Sequence, residues 1–134
     1  MRSRAFVVIV AAVLGACTSA TQTEALRERE WKLAWVEAFP SMPAGVATPT
    51  LRFEAGDRMG GQTGCNSAGG TYTVDGDRLT IGNVISTKRA CAAQAGNQLE
   101  VAYLGALEQT RSFRIVDENL ELLDASGSVV ARFI

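Results

Sequence analysis

The sequence predicts an α+β fold: a curved antiparallel β-sheet, or a partly open barrel of short strands, packed on one α-helix. Three observations carry this. Short runs of alternating apolar and polar residues recur along the chain, separated by Gly, Pro, Asp and Asn. Two of these runs flank Asp75-Gly76, a hairpin link that favours positive φ. A single stretch of the domain, starting at Asn97, has helical periodicity. Short strands joined by hairpins around one helix imply a sheet that curls over that helix.

The domain begins near Trp31. Trp31, Leu33 and Trp35 fall on one face of a strand over Trp31 to Val36. Phe39 to Pro49 holds three prolines, a glycine and little periodicity, and is read as a loop. Thr50 to Glu54 alternates again, and Ala55-Gly56-Asp57 turns the chain. Arg58 to Gly64 is a glycine-weakened strand, where Gly suits a bulge or a close backbone approach. Gly70 to Val74 and Asp77 to Ile81 form the hairpin, and Asn83 to Thr87 is a further strand. Asn97 is placed to cap the helix, with Glu100 completing a capping box. Leu99, Tyr103, Ala106 and Leu107 share its apolar side, and Gly105 is read as a close-packing position against the sheet. Ser112 to Val116, Leu120 to Leu123 and Ser128 to Phe133 close the domain as a meander.

The N-terminal end is of a different kind. Met1-Arg2-Ser3-Arg4 is cationic, Ala5 to Val13 is apolar, and Leu14-Gly15-Ala16-Cys17 follows. That order describes a secretory signal peptide over residues 1–16. The apolar run is shorter than the ~18–20 residues a bilayer-spanning helix needs. Leu-Gly-Ala-Cys resembles the lipobox of bacterial lipoproteins. The resemblance implies cleavage before Cys17, acylation of its thiol and of the new N-terminus, and so a membrane as partner through that anchor. Several acyl chains anchor stably where one does not. Thr18 and Ser19 follow Cys17, with no Asp at the second position. By the same resemblance this implies an outer-membrane lipoprotein facing the periplasm, or a plasma-membrane one in a host with a single membrane. Residues 17–29 are polar and read as a tether, with composition for a helical turn near Leu26. Residues 30–134 make one domain.

Composition excludes several functions. Of the 13 basic residues, Arg2 and Arg4 leave with the leader; 11 then stand against 14 acidic ones, a formal charge of −3. There is no basic stripe for nucleic acid. The chain has no histidine. A Ser-His-Asp triad, a Cys-His pair and a His-ligated metal site are therefore excluded. Of the three cysteines, Cys65 and Cys91 remain once Cys17 is lipidated. An even pair in an exported protein suggests a disulfide, and two buried free thiols are the alternative.

Two motifs contain those cysteines. Gly64-Cys65-Asn66, with Gly70 and Tyr72 following, resembles the first motif of the META domain, also called HslJ-like. Ser86-Thr87-Lys88-Arg89-Ala90-Cys91 resembles its second, with Lys88-Arg89 where the family tends to have Arg-Met. The opening Trp31-x-Leu33, the Asp-Gly hairpin, the helix after the second Cys and the closing Leu-x-Leu meander follow the same order. The resemblance covers about Glu30 to Ile134. It implies a small secreted or lipid-anchored bacterial protein linked to stress tolerance, motility or virulence. It implies no catalytic residue, metal or cofactor.

The residues themselves agree with that silence. Cys65 lacks a histidine base, and only Lys88 or Arg89 could favour its thiolate. Asn66 suits a tight turn without any ligand. Gly60-Gly61 and Gly69-Gly70 are followed by no Gly-Lys-Ser/Thr and are not phosphate loops. Asp75 with Asp77, and Asp117 with Glu118, offer too few oxygens for calcium. The expected protein is a monomeric, non-enzymatic envelope module that binds an unidentified envelope protein or ligand, in envelope integrity or stress tolerance. A pilot or assembly lipoprotein holding an apolar partner segment is one alternative. An inhibitor of a hydrolase, acting through the Phe39–Thr50 loop, is another.

Overall fold

The computed structural model describes residues 15–89 and 91–134, with side chains from residue 20 onward. Residues 1–14 of the expected leader over 1–16, the Cys17 thiol and Ala90 lie outside the described residues.

Ten elements follow one another: α1 (Gly15–Arg27), β1 (Trp31–Val36), β2 (Thr50–Glu54), β3 (Arg58–Gln62), β4 (Ser67–Asp75), β5 (Arg78–Ser86), α2 (Gln94–Gln109), β6 (Ser112–Val116), β7 (Asn119–Leu123) and β8 (Val129–Phe133). The strands form an antiparallel ring in chain order, closed by β8 on β1. The ring is uneven. β4 and β5 pair from Asp75↔Arg78 to Ala68↔Ser86, whereas β5 meets β6 at Arg78↔Ser112. This is the curved sheet the alternation predicted.

The core is the inward half of that alternation. Trp31, Leu33, Leu51, Phe53, Met59, Tyr72, Leu79 and Phe133 are buried with the inner face of α2. That face is Leu99, Tyr103, Ala106 and Leu107, spaced at three and four residues as one side of a helix requires. Tyr103 also donates from its hydroxyl to the Thr50 carbonyl at 2.7 Å, tying the helix to the start of β2. Burial pushes the ionisation of the Tyr103 phenol well above its ordinary range, so it stays a donor.

Several details depart from the sequence reading. The stretch expected as a polar tether is helical over Gly15–Arg27. Tertiary contacts supply what its composition lacks. Leu26 is fully buried, its carbonyl accepts the Trp31 indole N–H at 2.9 Å, and Arg27 donates to the Tyr72 hydroxyl at 2.7 Å. The β4–β5 turn consists of Gly76-Asp77, and only Gly76 of the two has positive φ. Glycine at the first turn position fits a type II′ turn, not the type I′ turn expected for Asp75-Gly76. Asp77 to Ile81 and Asn83 to Thr87 are one strand, β5, bent where Asn83 takes φ 52° opposite a register shift in β4. In β1 a register shift between Leu33 and Trp35 inserts one extra residue against β8. The bulge reverses the alternation beyond it. Val36 enters the core and Trp35, expected there, stands half-buried at the rim.

α2 also begins earlier than its expected cap. Its N-cap is Ala93, which offers no side-chain bond, and Asn97 lies inside the first turn. The Asn97 side-chain oxygen Oδ1 accepts the Cys91 N–H at 3.0 Å, holding the incoming chain instead of the helix's own amides. Glu100 turns to the first motif. Gly105 is not a close-packing position: a Cβ built there meets nothing within 4 Å.

Candidate functional site

The two motifs meet at one end of the ring, where β3 passes into β4 and β5 passes toward α2. Gly64 has φ +108°, a conformation that L side chains avoid, and turns the chain so that Cys65 faces Cys91. The two cysteines form a disulfide with Cα atoms 5.5 Å apart. The expected bridge is therefore present, and the free-thiol alternative is not realised. Gly96, on the first turn of α2, completes the seat. A Cβ there would come within 2.9 Å of both Cβ and Sγ of Cys91. Val46 of the 39–49 loop lies over both glycines.

Asn66 lies beside the bridge and is 3% exposed. Its amide nitrogen donates to the Arg89 carbonyl at 2.8 Å and to Glu100 Oε1 at 2.9 Å. Its oxygen accepts the Thr87 hydroxyl and the Arg89 N–H, both at 2.8 Å. Two donors and two lone pairs are the full capacity of a carboxamide, and all four are used. Turning the amide over would set NH2 against the Arg89 N–H, so the network fixes its orientation. Thr63 joins from β3's end: its hydroxyl donates to Glu100 Oε1 at 2.8 Å and accepts the Asn66 N–H at 3.0 Å. Thr87 accepts the Ser67 N–H at 3.2 Å in turn. One side chain thus holds both motifs and the first turns of α2.

The other expected motif residues are structural too. Gly70 sits at the β4 register shift, where a Cβ would lie 2.8 Å from the Gly82 carbonyl oxygen. Tyr72 is buried, with its ring edge-on to Phe53 at 5.0 Å and its hydroxyl donating to the Glu54 carbonyl at 2.8 Å. Ser86 pairs with Ala68 at the end of β5. Lys88 and Arg89 are exposed, and Ala90 lies outside the described residues. Sequence reasoning missed Thr63 and Gly96, and gave Glu100 a capping role in place of its bonds to Thr63 and Asn66. For Thr63 and Gly96 the signal was a Thr immediately before the Gly-Cys-Asn triplet and a Gly five after the second Cys.

The motif side chains described at this end are committed to one another. Cys65 is bridged and Asn66 is saturated. Among the described residues no three of His, Cys, Asp and Glu are grouped to hold a metal ion. No described helix is long and apolar enough to cross a membrane.

The open space lies on another flank. A groove of about 810 Å³ runs between α2 and the ends of β1 and β8. Trp35, displaced outward by the β1 bulge, forms one wall with Val129 and Val130; Val101, Ala102 and Gly105 form the other. Val101 is 73% exposed. Arg132 stacks over the Trp35 ring at 4.9 Å and donates to Glu121 at 3.1 Å. Arg114 donates to the other oxygen of Glu121, also at 3.1 Å. Burial alone would raise the Glu121 pKa, but these two guanidinium bonds outweigh it and hold the carboxyl below its usual range.

The META-domain model matches residues 24–134, most of the chain and all of both motifs. The chain belongs to the META-domain family. The match begins inside α1, consistent with Leu26 and Arg27 being packed into the META domain. Two solved structures share its fold. An NMR structure of a protein from Burkholderia xenovorans has a TM-score of 0.61 at 24% identity, covering 99% of this chain and 95% of that one. A second NMR structure has a TM-score of 0.65 at 19% identity, covering 82% and 92% respectively. No curated protein matches the chain.

Proposed function

We propose that this META-domain protein is a lipid-anchored, non-enzymatic module of the cell envelope. It is anchored through Cys17 at the outer membrane facing the periplasm, or at the plasma membrane of a single-membrane host. It serves envelope integrity or stress tolerance by binding another envelope component. One observation carries the non-enzymatic reading: the motif residues are fully engaged in holding the fold. Cys65 is oxidised, Asn66 has no free donor or acceptor, and Tyr72 is buried and bonded. The Leu14-Gly15-Ala16-Cys17 order supports the anchor, and a disulfide suits an exported domain.

The groove favours a second reading, in which the protein holds an apolar segment of a partner as a pilot or assembly factor. The inhibitor reading lacks comparable support. Phe39, Met42 and Val46 of its loop pack against the core, and Pro49 is buried, so the loop lies down on the domain.

Cys17→Ser tests the anchor. The variant is expected to leave the membrane fraction and the detergent phase, or to accumulate uncut. Unchanged partitioning would contradict anchoring. Turnover of peptidoglycan, peptide or ester substrates, lost on mutating one carboxylate pair, would contradict the non-enzymatic reading.

A further inference from the structure

We infer that the groove between α2 and the ends of β1 and β8 is a docking site for an apolar polypeptide segment carrying a lysine or arginine. The inference rests on the holding role proposed above and supplies the chemistry of the partner.

The shape of the groove follows from two local irregularities. The β1 bulge turns Trp35 out of the core and against the space. On α2, Val101 and Gly105 lie four residues apart, on one side of the helix. Gly105 costs the helix about 1 kcal/mol relative to Ala. No contact requires it, because a Cβ would meet nothing within 4 Å. Keeping this position bare widens the groove instead. With Val101, Val129 and Val130 along the walls, the surface is apolar and its core-facing neighbours do not fill it. Its volume lies within the ~300–1,000 Å³ of ligand-binding clefts.

Charge selects the occupant. Among the described residues the charged ones lining the groove are Glu37 and Asp124, and no Lys or Arg lines it; Arg132, over the Trp35 ring, is paired with Glu121. Asp124 is held as an anion: its carboxylate accepts the Ser126 hydroxyl at 2.7 Å, the Ser126 N–H at 2.9 Å and the Ser128 N–H at 3.0 Å. Those bonds, the hydroxyl first, hold its pKa below the usual range. Two acids beside an apolar trough repel fatty carboxylates and phospholipid phosphates. They attract a cationic side chain set among apolar ones, and give such a contact orientation and partner choice.

The test uses the full chain in nanodiscs. A short random peptide library is selected on the wild type and counter-selected on Gly105→Trp, which fills the groove. Recovered peptides are expected to combine Leu, Ile, Val or Phe with at least one Lys or Arg. They are expected to shift the methyl resonances of Val101, Val129 and Val130. Glu37→Lys is expected to weaken them about tenfold, as loss of a charge pair can. Peptides that do not discriminate Gly105→Trp, that are acidic or uncharged, or that shift methyls elsewhere would overturn the inference. So would a dimer that Gly105→Trp dissociates, since a second copy would then be the occupant. Amide spectra verify that Gly105→Trp is folded, and Val101→Glu replaces it if it is not. Binding confined to an acyl chain, unaffected by Glu37→Lys, would also overturn it. A partner captured equally by wild type and Gly105→Trp would leave the holding role and remove the groove from it. Groove peptides without any envelope partner would leave the groove chemistry and remove the holding role.

Discussion

The N-terminal end and the outer flank of α2 face opposite physical situations. At its N-terminal end, Asn66, Thr63 and Glu100 form a polar cluster in which the Asn66 amide has no capacity left, and a disulfide closes beside it. Along its outer flank, Val101 and Gly105 face a trough that the chain leaves unfilled. The first region contains the recognisable motifs, and the second contains none. A motif made of Gly, Cys and Asn reports positions where backbone geometry and hydrogen-bond capacity leave no choice. A binding surface built of Val, Trp and Ala can be written in many ways and leaves no motif. In this protein the family motifs therefore mark the clamp, and the groove proposed for a partner lies elsewhere.

Substitutions at the clamp should cost stability without touching the groove. Replacing both Cys65 and Cys91 by Ala is expected to lose about 3–4 kcal/mol in urea unfolding, from the chain entropy of the 26-residue separation. Asn66→Ala should lose about 2–4 kcal/mol, because it strands the Arg89 backbone and the Glu100 carboxylate. Gly96→Ala should lose about 1–3 kcal/mol by driving a methyl into the bridge. An Asn66→Ala chain as stable as wild type would break the comparison at once.

Substitutions away from the clamp should behave differently. Gly105→Ala is expected to raise stability by about 1 kcal/mol, since a better helix former enters open space. A loss would restore the close-packing role that the sequence suggested. Glu121→Gln should have the smallest effect, below about 1 kcal/mol, because its arginine partners are half exposed. Its pH dependence has a definite sign. The folded carboxyl has a lowered pKa, so its contribution is full above the ordinary carboxylate range and is lost as pH falls through the folded value. The gap in urea midpoint between wild type and Glu121→Gln should shrink on acidification. A gap that widened would contradict the Arg114–Glu121–Arg132 account.

The sequence made the strands legible because each buries one face, and period-two alternation records that burial directly. Trp31 to Val36 and Thr50 to Glu54 match β1 and β2, and the closing meander matches β6 to β8 to within a residue. What failed to show were departures from alternation. The β1 bulge leaves no trace in composition, so Trp35 looked like a core residue. Asn97 looked like a cap because the pattern Asn-x-x-Glu satisfies a capping box locally. The structure uses both side chains for longer-range bonds, to Cys91 and to Asn66. α1 was hidden for a related reason: among its described residues the deeply buried side chain, Leu26, finds its place only once Trp31 and Tyr72 are assembled. The clamp cysteines were legible from their number and from the export that the N-terminal residues lead one to expect. Glu100 and Thr63 were not, since nothing local distinguishes a bonded carboxylate from a solvated one.

Holding the fold and the proposed binding of a partner fall at separate places in this molecule. The most direct test measures urea unfolding and groove-peptide affinity in parallel for Asn66→Ala and Gly105→Trp, below the unfolding temperature of each. The account predicts a crossed result: Asn66→Ala loses stability and keeps its affinity, while Gly105→Trp stays stable and loses it. If Asn66→Ala abolished binding while remaining as stable as wild type, the motif would be the binding site and the account would be wrong.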